Sequence, residues 1–451
     1  MVLYAALFNA HNSKTLRSQD RDCTIGEPQI IPRSAHNISR SNISSGALKV
    51  LYTLNKAGYE AFLVGGGVRD LLLGTTPKDF DVATNAHPEE IRKLFRNCRL
   101  IGRRFRLAHV RFGRDVVEVA TFRGATSDAD DEDHLKVNGR IVRDNVYGTL
   151  EEDAVRRDFS INCLYYNIAD FSVVDFTGGM ADLQSRILRL IGDPETRYRE
   201  DPVRTLRALR FAAKLGFRID PASEVPLARA AEDLAEISPA RLFEEILKLF
   251  MEGSALKTFQ LLRQYGVFEL LFPETNACLN DEEADVARRM VERALENTDA
   301  RIQEGKPVTP AFLFAALLWE PLRQDVEAMI ARGMSPFQAY DLAGVDVIAR
   351  QVEHVALPKR FSVITREIWE MQPRLQRQRG ARVKQILSRT RFRAAYDFLL
   401  LRAEAGEPVA EAAQWWTRLQ EGGEVEQSDV VETPKRGRRR RRRRNRRPAA
   451  Q

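Results

Sequence analysis

The sequence predicts an α+β protein in which a small mixed sheet comes first, an all-helical region follows, and a disordered basic tail ends the chain. Three observations predict this order. Short apolar or alternating runs typical of strands occur up to about residue 178. From about residue 182 to 405 the apolar residues recur with a helical period, interrupted by Gly and Pro. Residues 435–447, KRGRRRRRRRNRR, carry eleven positive charges and no acid, and such a block cannot fold alone.

Local signals place the elements of the first region in order. Ser44 and Ser45 are candidate N-caps for a helix that ends at Gly58. The later elements are a strand over 61–66, a strand over 80–84, a helix over 87–95, a hairpin of strands 103–113 and 115–123 that turns at Gly113-Arg114, an acidic loop over 125–134, and a strand pair within 161–178. The predicted domains are a loose arm (1–41), a head (42–181), a helical neck (182–275), a helical body (276–415) and the tail (416–451).

Composition indicates a cytoplasmic protein. The net charge of +7 becomes −4 without the eleven charges of the tail, so the net basicity lies there. Cysteines 23, 98, 163 and 278 match no zinc or redox spacing and are expected to be free thiols. No transmembrane segment or signal peptide is expected, because the longest apolar stretch, AFLFAALLW, has about half of the ~20 residues that a membrane-spanning helix needs.

Three glycines, Gly65 to Gly67, follow the predicted strand AFLV. Glycine lets a phosphate approach the backbone closely, and free backbone N–H groups at such a turn can face an anion. A glycine turn that binds no ligand is the more frequent meaning of this pattern, so it is weak evidence by itself.

Two aspartates, Asp79 and Asp81, stand one residue apart beside the predicted strand FDVAT. Alternate residues of a strand point to one face, so both carboxylates are expected to project together. That arrangement is costly unless a divalent cation lies between them, and Mg²⁺ prefers oxygen ligands. Two solvated acids at a strand end are the alternative.

Glu118 is the third candidate acid, because it interrupts the apolar strand VVEVATF. Beside the two aspartates it would complete a three-carboxylate site, in which two metal ions could activate a hydroxyl and stabilise a leaving pyrophosphate. An ion pair with Arg106 or Arg111 on the adjacent strand is the alternative.

Two further motifs suggest nucleotide contacts. In RRDFSINCLYY, Arg157 can reach phosphates and Asp158 can accept hydrogen bonds from ribose hydroxyls; a helix-capping aspartate beside surface arginines is the alternative. In YREDPVRTLRALRF, Asp201 is the expected N-cap of a helix, and Asp201 and Arg204 project to one side. An Asp acceptor beside an Arg donor fits the edge of adenine or cytosine, although such a row is usually a solvated face.

Taken together, these motifs resemble the class II nucleotidyltransferases, which include tRNA CCA-adding enzymes and bacterial poly(A) polymerases. The resemblance covers Leu63 to Phe211 through LVGGGVRDLLLG with DFD, VEVATFR, RRDFSINCL, DFTGGMADL and EDPVRTLRALRF. CRLIGRRFRLAHVRFG, ARLFEEILKLF and the Arg-rich tail look like the poly(A) polymerases rather than the CCA-adding enzymes.

The resemblance implies a nucleotidyltransferase head and a role for each matching residue. Asp79 and Asp81 would hold catalytic Mg²⁺ ions, two in number, with Mn²⁺ as a possible substitute; Asp158 would be a further catalytic acid, and Glu118 matches less distinctively. The residues expected to bind the nucleotide are Gly65, Gly66, Arg69, Arg157, Asp201, Arg204 and Arg207. The residues expected to hold RNA are Arg436, Arg438, Arg439, Arg440, Arg441, Arg442, Arg443 and Arg444.

The implied reaction is attack by an RNA 3′-hydroxyl on the α-phosphate of ATP, without a template and with release of pyrophosphate. A monomer in a bacterial cytoplasm is expected, with RNA-decay proteins as possible partners. The alternatives are a tRNA CCA-adding enzyme, a non-catalytic RNA-binding protein and an antibiotic-modifying nucleotidyltransferase. The tail could instead be a solubilising extension or contact anionic lipid.

Overall fold

The computed structural model describes residues 27–102, 106–124, 134–137, 140–144, 146–281, 283–377 and 380–421. The chain divides into two compact units, one up to Asp233 and one from Leu234, so the boundary falls inside the predicted neck. The predicted acidic loop, apart from its last residue, and the whole Arg-rich segment lie outside the described residues.

The first unit contains the strands, and its main sheet is mixed, as predicted. The strands are β1 (Gln29–Ile31), β2 (Ala61–Val64), β3 (Asp81–Thr84), β4 (Cys98–Ile101), β5 (Leu107–Phe112), β6 (Asp115–Thr121), β7 (His134–Val137), β8 (Arg140–Asp144), β9 (Leu164–Asn167), β10 (Val173–Asp175), β11 (Ile187–Leu188) and β12 (Arg218–Ile219). Eight of them form one sheet in the order β1-β10-β9-β2-β3-β6-β5-β4. Within that sheet β3 and β6 pair in parallel, whereas the other neighbours are antiparallel.

The helices of the first unit pack around this sheet. They are α1 (Ser45–Lys56), α2 (Gly66–Leu72), α3 (Pro88–Leu94), α4 (Leu150–Arg156), α5 (Gly179–Ser185), α6 (Pro194–Glu200), α7 (Val203–Leu215), α8 (Pro221–Glu224) and α9 (Leu227–Ala231). The Ser44 hydroxyl accepts a hydrogen bond from the Ala47 amide and caps α1, which confirms the predicted helix start. The predicted hairpin turn at Gly113-Arg114 is also confirmed, because Phe112 pairs with Asp115.

Two local predictions are wrong. Part of the predicted loose arm is strand β1, which lies at the edge of the sheet beside β10 and buries Ile31; three residues are too few for a visible alternation. Asp201 does not cap a helix that starts at Pro202. Its extended backbone ends α6, and α7 begins at Val203.

The second unit is helical, as predicted, and continues to Gln420. Its helices are α10 (Pro239–Phe250), α11 (Ala255–Gln264), α12 (Val267–Leu271), α13 (Pro273–Leu279), α14 (Asp285–Gln303), α15 (Pro310–Leu317), α16 (Trp319–Ala331), α17 (Pro336–His354), α18 (Lys359–Leu375), α19 (Gly380–Leu387), α20 (Phe392–Ala405) and α21 (Ala410–Gln420). Within the described ranges, none of the helices combines the length and the apolar composition that crossing a bilayer requires. Cys98, Cys163 and Cys278 are free thiols, whereas Cys23 lies outside the described residues.

A glycine contact fixes the loop that carries Asp158. Asp175 at the end of β10 accepts hydrogen bonds from the amides of Gly179 and Met180 at the start of α5, at 3.0 and 2.9 Å. A Cβ atom on Gly179 would lie 2.2 Å from the carbonyl oxygen of Ser160. The close approach of α5 to this loop therefore requires glycine at position 179.

We expect Gly179→Ala to lower the free energy of unfolding by roughly 2–4 kcal/mol, because the added methyl group must displace backbone. Gly178→Ala is the matched control. Gly178 has a positive φ of 76° but open space around its Cβ position, so the cost should be about 1 kcal/mol. Thermal and urea unfolding measure both values, and equal stability of the two variants would contradict the packing argument.

Candidate active site

The end of β2 forms the floor of the candidate site. Gly65 follows this strand with φ 70° and ψ −145°, a conformation that favours glycine, and α2 begins directly after it. A Cβ atom on Gly65 would lie 3.6 Å from Oδ2 of Asp81 and 4.0 Å from Nη1 of Arg157. The glycine turn therefore lies against one predicted acid and one predicted arginine.

Asp81 and Glu118 are direct neighbours in the sheet. Asp81 is the first residue of β3 and is in register with Glu118 of the parallel strand β6. Neighbouring strands lie about 4.7–4.9 Å apart, and residues in register project from the same face, so the two side chains start close together. Asp81 is half-buried, and Glu118 is exposed.

The placement of Asp79 corrects the prediction that it shares a strand with Asp81. Strand pairing ends where Val64 meets Asp81, because β2 turns into α2 at Gly65. Asp79 therefore precedes β3 and is exposed. Its carboxylate still acts electrostatically on Asp81, but the in-register acid is Glu118.

The crowding of negative charge perturbs Asp81. Burial raises the pKa of Asp81 to about 6, and Glu118 and Asp79 contribute to the increase, whereas Arg157 opposes it. Glu118 also lies 3.1 Å from Nε2 of His109 on β5. Arg106, one of the two arginines predicted as alternative partners of Glu118, pairs with Glu89.

Arg157 is held by an acid that the sequence analysis missed. Its guanidinium donates to Oδ2 of Asp153 at 2.9 and 3.1 Å and to the Tyr165 hydroxyl at 2.8 Å. Tyr165 also donates to Asp153 at 2.8 Å. Burial alone would raise the pKa of Asp153. Arg157 and Tyr165 outweigh that effect, so the pKa of Asp153 is lowered. The i, i+4 spacing of Asp153 and Arg157 was the available sequence signal.

Arg69 and Asp158 are also held in place. Arg69 is 3% exposed and donates to Asp70 and, at 2.7 Å, to the side-chain oxygen of Asn162. Asp158 accepts a hydrogen bond from the Phe159 amide at 2.8 Å and pairs with Arg207. Burial raises the pKa of Asp158, but Arg207 and the Phe159 amide outweigh that effect and lower it, so Asp158 is an anion at neutral pH.

A second missed residue, Arg197, joins the predicted base-contacting residues to this loop. It donates to the carbonyl oxygens of Arg156 and Arg157 at 2.8 and 2.7 Å and to Glu200 at 2.7 Å. Glu200 also accepts from Arg204 at 3.1 Å. Burial lowers the pKa of Arg197 to about 10, with Arg204 contributing. The position of Arg204 is therefore fixed relative to the C-terminal end of α4.

One pocket of about 530 Å³ collects these groups, a volume typical of small-molecule sites. Seven arginines and five acidic residues line it, which suits a polyanion bound with a cation. The predicted residues in its wall are Gly65, Gly66, Arg69, Asp81, Glu118, Arg157, Asp158, Asp201, Arg204 and Arg207. Asp79 is not in the wall, and Arg436 and Arg438 to Arg444 lie outside the described residues.

The carboxylates do not form a complete metal centre by themselves. In the part of the chain that the structure describes, no three His, Cys, Asp or Glu side chains are arranged to hold a metal ion. Mg²⁺ usually takes only one or two protein carboxylates and completes its shell with water and phosphate oxygens. A pair of carboxylates beside an arginine-lined pocket therefore fits that ion.

Comparison with known proteins identifies three matching family regions. The chain matches the Poly A polymerase head domain over residues 61–189, the probable RNA and SrmB-binding site of polymerase A over 216–279, and the polymerase A arginine-rich C-terminus over 332–448. The first region contains seven of the eight strands of the main sheet and most of the residues that line the pocket. The third includes residues 416–448 of the predicted tail.

Relatives and solved structures agree with these matches. Poly(A) polymerase I of Salmonella typhi is 51% identical over 408 residues, which cover 89% of this chain and 88% of the relative. The CCA-adding enzyme of Lactobacillus johnsonii is 34% identical over 229 residues, which cover 50% of this chain and 55% of that enzyme. The structure of the Bacillus stearothermophilus CCA-adding enzyme in complex with CTP is 25% identical, covers 84% of this chain and 82% of that one, and gives a TM-score of 0.54.

The raised pKa of Asp81 generates a prediction for the metal-free protein. Because the folded-state pKa, about 6, exceeds the ordinary value of 3.8, the carboxylate destabilises the fold increasingly as pH rises from about 4 and fully above about 6. We expect Asp81→Asn to raise the free energy of unfolding by roughly 2 kcal/mol at pH 8, with little gain at pH 4.

Asp115→Asn is the control, because Asp115 is an exposed aspartate on the same strand as Glu118. Urea unfolding in the presence of a chelator measures the three proteins across pH. If Asp81→Asn raised the free energy of unfolding by the same amount at every pH, the electrostatic explanation would be contradicted.

Proposed function

The chain belongs to the bacterial poly(A) polymerase family, and on that premise we propose how its pocket transfers adenylate. It is a polynucleotide adenylyltransferase that adds adenylate residues from ATP to RNA 3′ ends without a template. The observation that carries the mechanism is the Asp81–Glu118 pair, which lies at the floor of an arginine-lined pocket. The family implies use of a nucleotide and a divalent metal.

Asp81, with Asp79 beside it, would hold the metal, as two Mg²⁺ ions or as Mn²⁺ in their place. The carboxylate oxygens suit such hard cations, and the raised pKa of Asp81 reflects an excess of negative charge that a cation would remove. When bound, the ions neutralise charge on the transferred phosphate and lower the pKa of the attacking hydroxyl. Glu118 would add negative charge to the same face and strengthen cation binding.

The turn and the arginines would bind the triphosphate. Gly65 and Gly66 have no side chain to keep a phosphate from the backbone, and Gly65 lies beside Arg157. Arg69 and Arg157 are ordered by Asp70, Asn162 and Asp153 before any ligand arrives. Such preorganised charge stabilises a phosphoryl-transfer transition state without reorganisation during the reaction.

Asp158 and the α6–α7 junction would position the nucleoside. Asp158 is an anion inside the pocket and could accept from a ribose hydroxyl if Arg207 shifts or shares it. Asp201 and Arg204 would recognise the adenine edge, with Arg197 and Glu200 fixing Arg204. The RNA 3′-oxygen would then form a bond to the α-phosphorus, and the bond from that phosphorus to the pyrophosphate oxygen would break.

RNA would bind mainly outside this pocket. The segments over 216–279 and 332–448 match family regions described by RNA binding and by arginine content. Arg436 and Arg438 to Arg444 would hold the RNA backbone without sequence preference. The proposal also includes RNA-decay proteins as partners, a monomeric state and a cytoplasmic location.

A nucleotide assay tests the reaction. With a generic RNA and one NTP at a time, we expect ATP to be incorporated repeatedly, a chelator to stop the reaction and Mg²⁺ to restore it. Asp79→Ala combined with Asp81→Ala should lower kcat by roughly 10²–10³-fold or more. Asp115→Ala, which removes an exposed aspartate at the far end of β6, should retain activity.

Two results would contradict this account. Incorporation of CTP confined to tRNA ends would assign the chain to the CCA-adding activity instead. Full activity of the double aspartate variant would place the metal elsewhere.

The tail generates a separate prediction. Replacing Arg438 through Arg444 by Gln in the full chain should weaken RNA binding and reduce the steepness of the plot of log Kd against log salt by up to about 5, since each single-stranded phosphate contact contributes about 0.7. Fluorescence anisotropy with a labelled RNA at several salt concentrations measures this slope. An unchanged slope would favour a merely solubilising tail.

A further inference from the structure

A second basic segment precedes the tail. It contains apolar residues, and its described parts belong to the helices of the second unit. Residues 374–393, RLQRQRGARVKQILSRTRFR, contain seven arginines, one lysine and no acidic residue. Its described parts are the end of α18, helix α19 and the start of α20. Leu375, Ile386 and Phe392 of this segment are buried in a cluster with Trp416.

Several of the described basic side chains of this segment reach the surface. Arg377, Lys384 and Arg389 are exposed. Arg391 pairs with Glu367, and Arg393 pairs with Asp397. Among the residues that the structure describes, the carboxylates form no ion pair with Arg374, Arg377, Lys384 or Arg389. Arg377 shares the Phe337 ring with Arg374, and Lys384 lies one helical turn before Ser388, which lines one cavity together with Arg374 and Arg389.

The charges are crowded and partly fixed. Burial lowers the pKa of Arg374, and repulsion from the neighbouring Arg389 lowers it further, whereas Glu370 opposes part of this decrease. The guanidinium carbons of Arg374 and Arg377 lie 5.2 and 5.1 Å from the centre of the Phe337 ring. An aromatic ring that orders two arginines reduces the entropy lost when they bind a ligand.

A small cavity of about 260 Å³ lies between these groups. Arg374, Arg389 and the hydroxyl-bearing residues Ser388 and Thr390 line it. Glu367 and Glu370 also line it, but Glu367 pairs with Arg391, and Glu370 lies 3.5 Å from Arg366. The Ser388 hydroxyl donates to the carbonyl oxygen of Gln385 at 3.0 Å, so the guanidinium groups and the Thr390 hydroxyl are the donors that the cavity can offer to an anion.

We propose that this basic patch, defined as Phe337, Arg374, Arg377, Lys384 and Arg389, binds phosphates of the RNA backbone as a site separate from the tail. The proposal rests on the function above, because it names a contact for the same RNA substrate. Arginines ordered by an aromatic ring, next to the Thr390 hydroxyl, suit a nucleic-acid strand, because a guanidinium plane can pair with a phosphate and stack on a base. An acidic protein surface would use only their charge.

The test compares two full-length variants with the same change of charge. Lys384→Gln/Arg389→Gln removes two of the four positive charges of the patch. Lys359→Gln/Arg360→Gln removes two exposed charges at the other end of α18, about 22 Å from Arg374 along the helix. We expect the patch variant to raise the Kd for a single-stranded RNA several-fold and to reduce the steepness of the salt plot by about 1.4. The control variant should match the unmodified chain.

Further measurements separate the possible outcomes. Phe337→Leu should weaken RNA binding without altering the salt slope, since it removes no charge, and melting temperatures show that each variant is folded. The patch variant should raise the KM for RNA but not the KM for ATP.

Equal RNA affinity of the patch and control variants would overturn the proposal, even if the chain incorporates ATP normally. Loss of binding to phosphatidylserine vesicles with unchanged RNA affinity would likewise overturn it and indicate a membrane contact.

Discussion

The pairing of β3 with β6, the parallel contact within the eight-stranded sheet, determines the chemistry of the pocket. It sets Asp81 directly beside Glu118 at the point where β2 ends in Gly65. The backbone at both residues is fixed, because Val82 and Val119 next to them are buried in the core. Repulsion between two carboxylates is therefore part of the fold, and a divalent cation bound with a nucleoside triphosphate is a ligand that relieves it.

The positive wall of the pocket is organised by acids behind the arginines. Asp153 holds Arg157, and Glu200 holds both Arg197 and Arg204. These carboxylates fix the guanidinium groups before ligand binding, so the charge that faces a triphosphate needs little rearrangement. Through Arg197, the helix junction that carries the predicted base contacts is tied to the loop that carries Arg157. In the proposed function, nucleotide recognition and phosphate binding would therefore share one network of hydrogen bonds.

Local sequence patterns predicted the mixed sheet, the α1 cap and the helical second unit, because alternation, capping and helical period are set within a few residues. The pairing of β3 with β6 joins distant segments. The charge of Glu118 in an apolar strand suggested that it lies near Asp81, but the register of the two strands could not be predicted. The strand position of Asp79 was misjudged because β2 supplies no partner beyond Val64. Asp153 and Arg197 were missed because their roles depend on packing between distant segments.

The central claim is that Asp81, paired with Glu118, releases a proton when a metal ion binds beside it. Isothermal titration of Mg²⁺ with a non-hydrolysable ATP analogue, at pH 6 in two buffers of different ionisation enthalpy, measures the protons released at the site. With the pKa of Asp81 at about 6, we predict release of about 0.5 proton from the unmodified chain, beyond the release from the analogue itself, and none from Asp81→Asn. Equal proton release from both proteins would contradict the claim.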